Sequence, residues 1–419
     1  MTISADPLSE YRRVRQWTES LCEPLETEDY VVQSMDDVSP TKWHLAHVSW
    51  FFETFILKPE VPGYQPYHPD FEVLFNSYYD TVGEQYPRPR RGHLSRPTVA
   101  QIFDYRRHVD RGIDAFVRTA DSAALDRVAL LFEVGLHHEQ QHQELLLMDI
   151  KHVLGTNPLR PSYLREAPVR PQIAPDGRSW FEYEGGRVAI GFEGSGFSYD
   201  NESPRHDVLL RPFRLASQLV TAEDYQAFMA DGGYERPELW LSDGWTTKNR
   251  EGWRAPLYWF DEGPDWSVYT LAGPRPIEAA EPVCHVSYYE ADAFATWAGA
   301  RLPLEAEWEI VARELPLEGN FVEKQALHPL PSGPRRPDGP SQMFGDVWEW
   351  TSSSYAAYPG YRAFEGALGE YNGKFMCSQQ VLRGGACVTP QSHMRPTYRN
   401  FFYPHQRWQF SGIRLASSL

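Results

Sequence analysis

Apolar residues recur every three to four positions through the first ~155 residues, and the pattern then breaks. In SPTKWHLAHVSWFFETFIL, residues 39–57, Trp43, Ala46, Trp50 and the Phe51–Phe55 pair fall on one side of a helix, which predicts a core-facing stripe. Ser39 suits the N-cap and Pro40 the first helical position. The same period runs through LSEYRRVRQWTESLCEPL, with Ser9 as its cap, and through RPTVAQIFDYRRHVDRGIDAFVRTA. It returns in DSAALDRVALLFEVGLHHEQQHQELLLMDIKHVLG, which starts near Asp121 and stops at Gly155. Four amphipathic helices, with a long crossover between the second and third, predict an all-α four-helix bundle over residues 1–155.

Residues 156–179 are proline-rich and aperiodic, and read as a surface linker. From 180 to 419 the chain reads as a mixed α+β domain with little regular structure. Strand-like pieces (RVAIGF, DVLLRPFRLA, QVLRGGACVT) alternate there with short helical ones (TAEDYQAFMADGG, SYYEADAFATWAGARL, LEAEWEIVAREL). A length of 419 residues fits two domains, and an aromatic share of 14% supplies large cores.

The net charge of −17 repels phosphate backbones and argues against a nucleic-acid partner. No apolar run approaches the ~20 residues that cross a bilayer, and the first residues lack the apolar core of a signal peptide. The four cysteines are scattered, which indicates reduced thiols rather than a zinc knuckle or a disulfide framework. These features predict a cytoplasmic protein, and they fix no oligomeric state.

The chemistry concentrates in LHHEQQHQELLLM, residues 136–148. His138 and His142 stand four apart, one turn of a helix, and two imidazoles so placed can point at one cation. The second helix offers His44 and His47 inside an aromatic stretch, where a polar ring needs a partner. Either can complete a three-histidine site across the bundle, and spacing does not choose between them. The same stretch matches HExxH, in which Glu139 would be the general base of a zinc hydrolase.

The combined pattern resembles the EgtB family of ergothioneine-biosynthesis sulfoxide synthases. LAHVSWFFETFIL and HHEQQHQELLLMDI look like the two motifs of its DinB-like bundle. YEGGRVAIGF, FSYDNESPRHDV, LVTAEDYQAFM, PVCHVSYYEADAFATWAGARLPLEAEWE, FGDVWEWTSS, VLRGGACVT and RPTYRNFFYPHQRWQFSGIRLA look like successive motifs of its C-terminal domain, which is similar to formylglycine-generating enzymes. The resemblance covers nearly the whole chain. It implies non-haem Fe(II) held by His47, His138 and His142, with His44 as their neighbour or a packing residue. The implied reaction joins the sulfur of a thiol to C2 of the hercynine imidazole, consumes O2 and leaves the sulfur as a sulfoxide. Three neutral imidazoles leave the ion its full charge and open positions, which suits a thiolate and O2.

In FNSYYDTVGEQYPRPRRG, residues 75–92, Tyr78 and Tyr79 match a Tyr-Tyr pair that reaches the iron site in one branch of the family. A phenol there can donate a proton to a reduced oxygen species; without the family, two loop aromatics packing on the bundle explain the pair. Arg88 and Arg91 match residues that hold free cysteine in that branch, a use that suits the guanidinium fork. The resemblance also implies that Gln141 binds the hercynine imidazole and that Asn400, Phe401 and Phe402 border its betaine end. The two phenylalanines read equally as core aromatics. Other donors remain open: γ-glutamylcysteine, or a selenium donor in a selenoneine synthase. One departure stands out. Formylglycine-generating enzyme uses a cysteine pair after its RGG-like motif, and here Cys387 stands alone. This argues against that enzyme's copper-dependent thiol oxidation and for a C-terminal domain that caps the iron.

Overall fold

In the computed structural model, which describes residues 7–166, 168, 177–261, 265–334 and 336–419, the chain divides into two units. The first unit comprises Met1–Tyr163 and Glu365–Tyr371, the second Leu164–Phe364 and Asn372–Leu419. Each is described by itself.

The first unit is an all-α four-helix bundle built on α1 (Pro7–Ser20), α2 (Thr41–Phe52), α4 (Val99–Thr119) and α5 (Ser122–Thr156), with a short α3 (Phe71–Phe75) in the crossover. Two caps differ from expectation. Ser9 lies inside α1, because Pro7 opens the helix with the φ that the first turn needs. Ser39 caps nothing: its N–H donates to Asp149 at 2.8 Å, and its hydroxyl accepts from Arg91 at 2.9 Å. Asp121 caps α5 as expected by accepting from the Ala124 N–H, and Thr98 caps α4 in a capping box with Gln101.

Helix α2 is not amphipathic in place. All twelve of its residues are buried. One side packs on α4 and α5, and the crossover covers the other. There the indole N–H groups of Trp43 and Trp50 donate to the carbonyls of Leu74 and Glu72, both at 3.1 Å. The helix then passes through a π-helical turn, Glu53–Leu57. Where α5 crosses α2, Gly135 allows the contact: a Cβ there would stand 2.6 Å from the Phe52 ring.

A buried ion-pair node ties α1, α4 and α5 together. The Glu139 carboxylate accepts from Arg15 Nη1 at 2.9 Å, Arg106 Nη2 at 3.1 Å and Thr18 Oγ1 at 2.7 Å. Burial alone would raise its pKa, but the two guanidinium groups hold it down to about 2.

The second unit is α+β, with four small sheets among the described residues. Strands β1 (Trp180–Tyr183), β4 (Phe213–Ala216) and β12 (Ala416–Ser418) form one; β2 (Gly186–Ile190) and β3 (His206–Leu210) pair as a hairpin. Strands β5 (Trp259–Asp261), β6 (Trp266–Thr270) and β7 (Gly273–Pro276) form a meander. The largest sheet has the order β10 (Asn400–Phe402), β9 (Gln380–Arg383), β8 (Trp348–Ser354), β11 (Ser411–Gly412). DVLLRPFRLA is two strands, broken at Arg211-Pro212, since proline cannot donate to the ladder. The expected helices appear as α6 (Ala222–Ala230), α8 (Tyr288–Trp297) and α9 (Glu305–Ala312), and α7 (Ser242–Glu251) is an addition.

The proline-rich linker lies partly outside the described residues, at 167 and 169–176. Its first part is tied down within the first unit, where the Tyr163 hydroxyl donates to the Leu21 carbonyl at 2.6 Å. No disulfide forms among the four cysteines; Cys387 is buried and Cys377 exposed.

The node has a measurable consequence. Glu139→Gln strands two buried guanidinium groups and is expected to cost about 3–5 kcal/mol in urea unfolding at neutral pH. The sign with pH follows from the depressed pKa. The carboxylate's contribution is full above its ordinary value of 4.5 and is lost as pH falls toward about 2. Wild-type stability is therefore expected to fall across that window, and the Gln variant's to fall less.

Candidate metal centre

Helix α5 presents His138 and His142 one turn apart, and α2 presents His47 opposite them. The three ring centroids lie 4.6–4.8 Å from one another, close to an equilateral triangle. One ligand atom from each ring falls within 4.8 Å of the others. The facing Nε2 atoms of His47 and His138 are 3.1 Å apart. Ligand nitrogens ~2.1 Å from one ion at right angles lie about 3 Å apart, so this spacing suits a shared cation.

The imidazoles are held neutral. Burial pushes all three pKa values down, His138 to about 3, and neighbouring rings add to the effect for His47 and His142. Neutral imidazole is the form that binds a metal. The His47 Nδ1–H donates to the Phe75 carbonyl at 2.6 Å, which leaves Nε2 its lone pair. His44, the alternative that spacing left open, stands outside the triangle: its Nδ1 is 2.8 Å from His142 Nδ1 and its Nε2 is 3.0 Å from Asp149. The residues thus fit a cation with three nitrogen ligands.

Glu139 is placed where it cannot serve as the base of a zinc hydrolase. Its carboxylate turns to the other side of α5, into the node with Arg15 and Arg106. A general base needs hydrogen-bond reach of a metal-bound water; this carboxylate is consumed by structure.

Tyr78 and Tyr79 follow α3. Their rings stack at 4.6 Å, and Tyr79 packs on Trp50, which stacks on His47. Burial raises the Tyr78 pKa well above the usual phenol range, so its O–H stays protonated at neutral pH. Arg88 and Arg91 lie in a 3₁₀ turn, Arg88–His93. Arg88 is exposed, whereas Arg91 is 1% exposed and lies over the Trp43 ring at 3.3 Å. The hydrogen bonds of Arg91 go to the Ser39 and Ser77 hydroxyls, and among the described residues it makes no ion pair with a carboxylate. A buried guanidinium so placed suits an incoming carboxylate.

Gln141 brings in a residue that motif reading missed. Its side-chain oxygen accepts a hydrogen bond from the hydroxyl of Tyr371. The Tyr371 ring stands 5.9 Å from His138 and 6.3 Å from Tyr78, at near-perpendicular angles to both. It arrives on Glu365–Tyr371, the stretch that joins the first unit from 230 residues away. Its neighbour Glu370 accepts from the backbone N–H groups of Asp80 and Thr81, each at 3.0 Å, and from the Thr81 hydroxyl at 2.6 Å. These bonds fasten the loop that follows the Tyr pair. Asn400, Phe401 and Phe402 form β10 of the second unit, outside the unit that carries the histidines. There Phe401 stacks on Tyr355 at 4.1 Å and Phe402 meets Trp408 edge-on.

A helical bundle of this kind joined to an α+β domain of this kind defines a class. Residues 10–146 match the DinB superfamily, and residues 173–329 and 318–419 match the sulfatase-modifying factor enzyme 1-like domain. The chain belongs to the hercynine oxygenase family. It is 34% identical to the hercynine oxygenase of Mycolicibacterium thermoresistibile over 90% of this chain and 87% of that one. It is 33% identical to that of Mycobacterium tuberculosis over 90% and 91%. The formylglycine-generating enzyme of Streptomyces coelicolor is 30% identical over 50% of this chain and 78% of its own. Among the described residues no helix is long and apolar enough to cross a membrane.

The Glu370 clamp is testable. Glu370→Ala removes a charged acceptor from two amides, and bonds to charged groups contribute about 1.5–3 kcal/mol. Hydrogen exchange at Asp80 and Thr81 is expected to quicken about tenfold or more, with exchange in α5 unchanged.

Proposed function

We propose that this chain is an Fe(II)- and O2-dependent hercynine oxygenase that joins the sulfur of cysteine to C2 of the hercynine imidazole. The observation that carries the reading is the closed triangle of His47, His138 and His142, in a chain that belongs to this family. A ferrous ion held by these residues supplies the redox chemistry and O2 binding that amino-acid side chains lack. The atoms balance: hercynine C2–H, the thiol S–H and O2 give one C–S bond, one sulfoxide oxygen and one water. Carbon and sulfur together lose four electrons, and O2 takes them.

The chain's own residues do the rest. Arg88 and the buried Arg91 bind the carboxylate of cysteine; among the described residues Arg91 hydrogen-bonds only to hydroxyls, which supports this. Tyr78 or Tyr79 donates a proton to the reduced oxygen, since a phenol keeps its proton at neutral pH. Tyr371, whose hydroxyl donates to Gln141, stands beside both His138 and Tyr78 and helps to hold Gln141 in place. Gln141 orients the hercynine imidazole. Asn400, Phe401 and Phe402 are assigned to the betaine end on sequence pattern alone, where aromatic faces attract a quaternary ammonium.

The test is anaerobic reconstitution with Fe(II), then hercynine with cysteine or γ-glutamylcysteine and air, with products weighed by mass spectrometry. The expected product is the cysteinyl hercynine sulfoxide, formed with Fe(II) and not with Zn(II), and absent in His138→Ala. Preference for γ-glutamylcysteine contradicts the donor assignment, and oxygen-independent activity contradicts the reaction. Arg88→Ala is expected to raise KM for cysteine about tenfold or more and to leave KM for hercynine unchanged.

A further inference from the structure

We propose that Asp149 and His44 are positioning residues that fix the tautomer of His142, so that its Nε2 faces the cluster with a bare lone pair. The proposal rests on the reading of the triad as the metal centre and extends it.

One buried chain of donors and acceptors runs from Asp149 through His44 to His142. Asp149 follows His142 by seven residues, two turns of α5, so both side chains project from the same side of the helix. Its Oδ2 already accepts the Ser39 N–H at 2.8 Å and lies 3.0 Å from His44 Nε2. An ionised carboxylate only accepts, so His44 Nε2 must carry the proton. In its neutral form an imidazole has one N–H, and His44 Nδ1 is then an acceptor. The 2.8 Å contact between the two Nδ1 atoms then requires that His142 Nδ1 donate. The remaining nitrogen of His142, Nε2, has no proton and is free to bind a cation.

The site around this chain is closed. His44 and Asp149 are 3% and 4% exposed. Replacing either removes a partner that bulk water cannot readily replace. His47 reaches the same tautomer by a different device, since a carbonyl, that of Phe75, can only accept from its Nδ1. His138 has neither device: its Nδ1 is buried and has no hydrogen-bond partner among the described residues. The triad therefore contains two rings with enforced tautomers and one without. Partners in this position orient metal-binding imidazoles, and their loss typically weakens metal affinity 10–100-fold. Here the carboxylate acts through an intervening imidazole rather than directly.

The experiment measures the anaerobic affinity for Fe(II) by competition with a chelator, in the full chain. Three variants are compared with wild type: His44→Phe, which keeps a ring but no acceptor; His44→Asn, whose amide oxygen can stand near the lost Nδ1; and His138→Ala. His44→Phe is expected to weaken Fe(II) about 10–100-fold at unchanged stoichiometry. His44→Asn is expected to recover most of that loss, which a role in packing alone would not produce. In metal-free wild-type protein, long-range ¹H–¹⁵N correlation of the ring nitrogens is expected to show His142 as the Nδ1–H tautomer. This reading stands even if His44→Phe does not fold. The Nε2–H tautomer, Fe(II) affinity unchanged in His44→Phe, or His44→Asn as weak as His44→Phe each overturns the proposal while leaving the triad intact. Equal Fe(II) binding by wild type and His138→Ala overturns the triad reading, and the proposal with it.

Discussion

Helix α5 carries buried polar side chains on two sides, and the bundle is arranged to satisfy both. On one side Glu139 meets two guanidinium groups, from α1 and α4. On the other, His138 and His142 meet His47. Residues 138 and 139 are adjacent in sequence but about 100° apart around the helix, so one segment feeds both clusters. Buried charge that lost its partner would destabilise the fold by several kcal/mol. The node therefore fixes the rotation of α5 about its axis, and that rotation aims the histidines. The acidic residue of the HExxH pattern is structural here because the rotation that points two histidines inward turns it away.

Around the triangle, the neighbours act mostly on orientation. Trp43 and Trp50 both stack on the His47 ring, at 4.6 and 5.6 Å. Trp43 also lies under the Arg91 guanidinium, so a single indole links the His47 ring to the cation proposed to meet the substrate carboxylate. The phenols stand one ring further out, and Glu370 holds their loop through three hydrogen bonds. Rigid supports of this sort limit how far groups held beside them can drift.

Much of this was legible in the sequence. Helical periodicity located the four long helices, and the i,i+4 pair of histidines located one wall of the centre. Spacing did not separate His44 from His47, because they lie three apart on a helix that is buried all round. What separates them is tertiary: a backbone carbonyl from the crossover for His47, and a carboxylate from α5 for His44. Ser39 looked like a cap because caps are a local pattern; its partners, Asp149 and Arg91, come from 110 and 52 residues away. Tyr371 gave no local signal, since its relevance depends on a seven-residue stretch leaving the second unit's sequence for the first unit. Helix α7 was missed because SDGWTTKNRE has almost no apolar period; what it has is a C-terminal Gly252 in the left-handed conformation.

The proposed chemistry depends on three imidazoles, from two helices, sharing one ferrous ion. X-ray absorption of the Fe(II)-loaded protein tests this most directly. The predicted result is one iron per chain whose nearest shell includes three imidazole nitrogens, with the ring scattering of one histidine lost in His142→Ala. A spectrum with only oxygen neighbours, or one identical in wild type and His142→Ala, would contradict it.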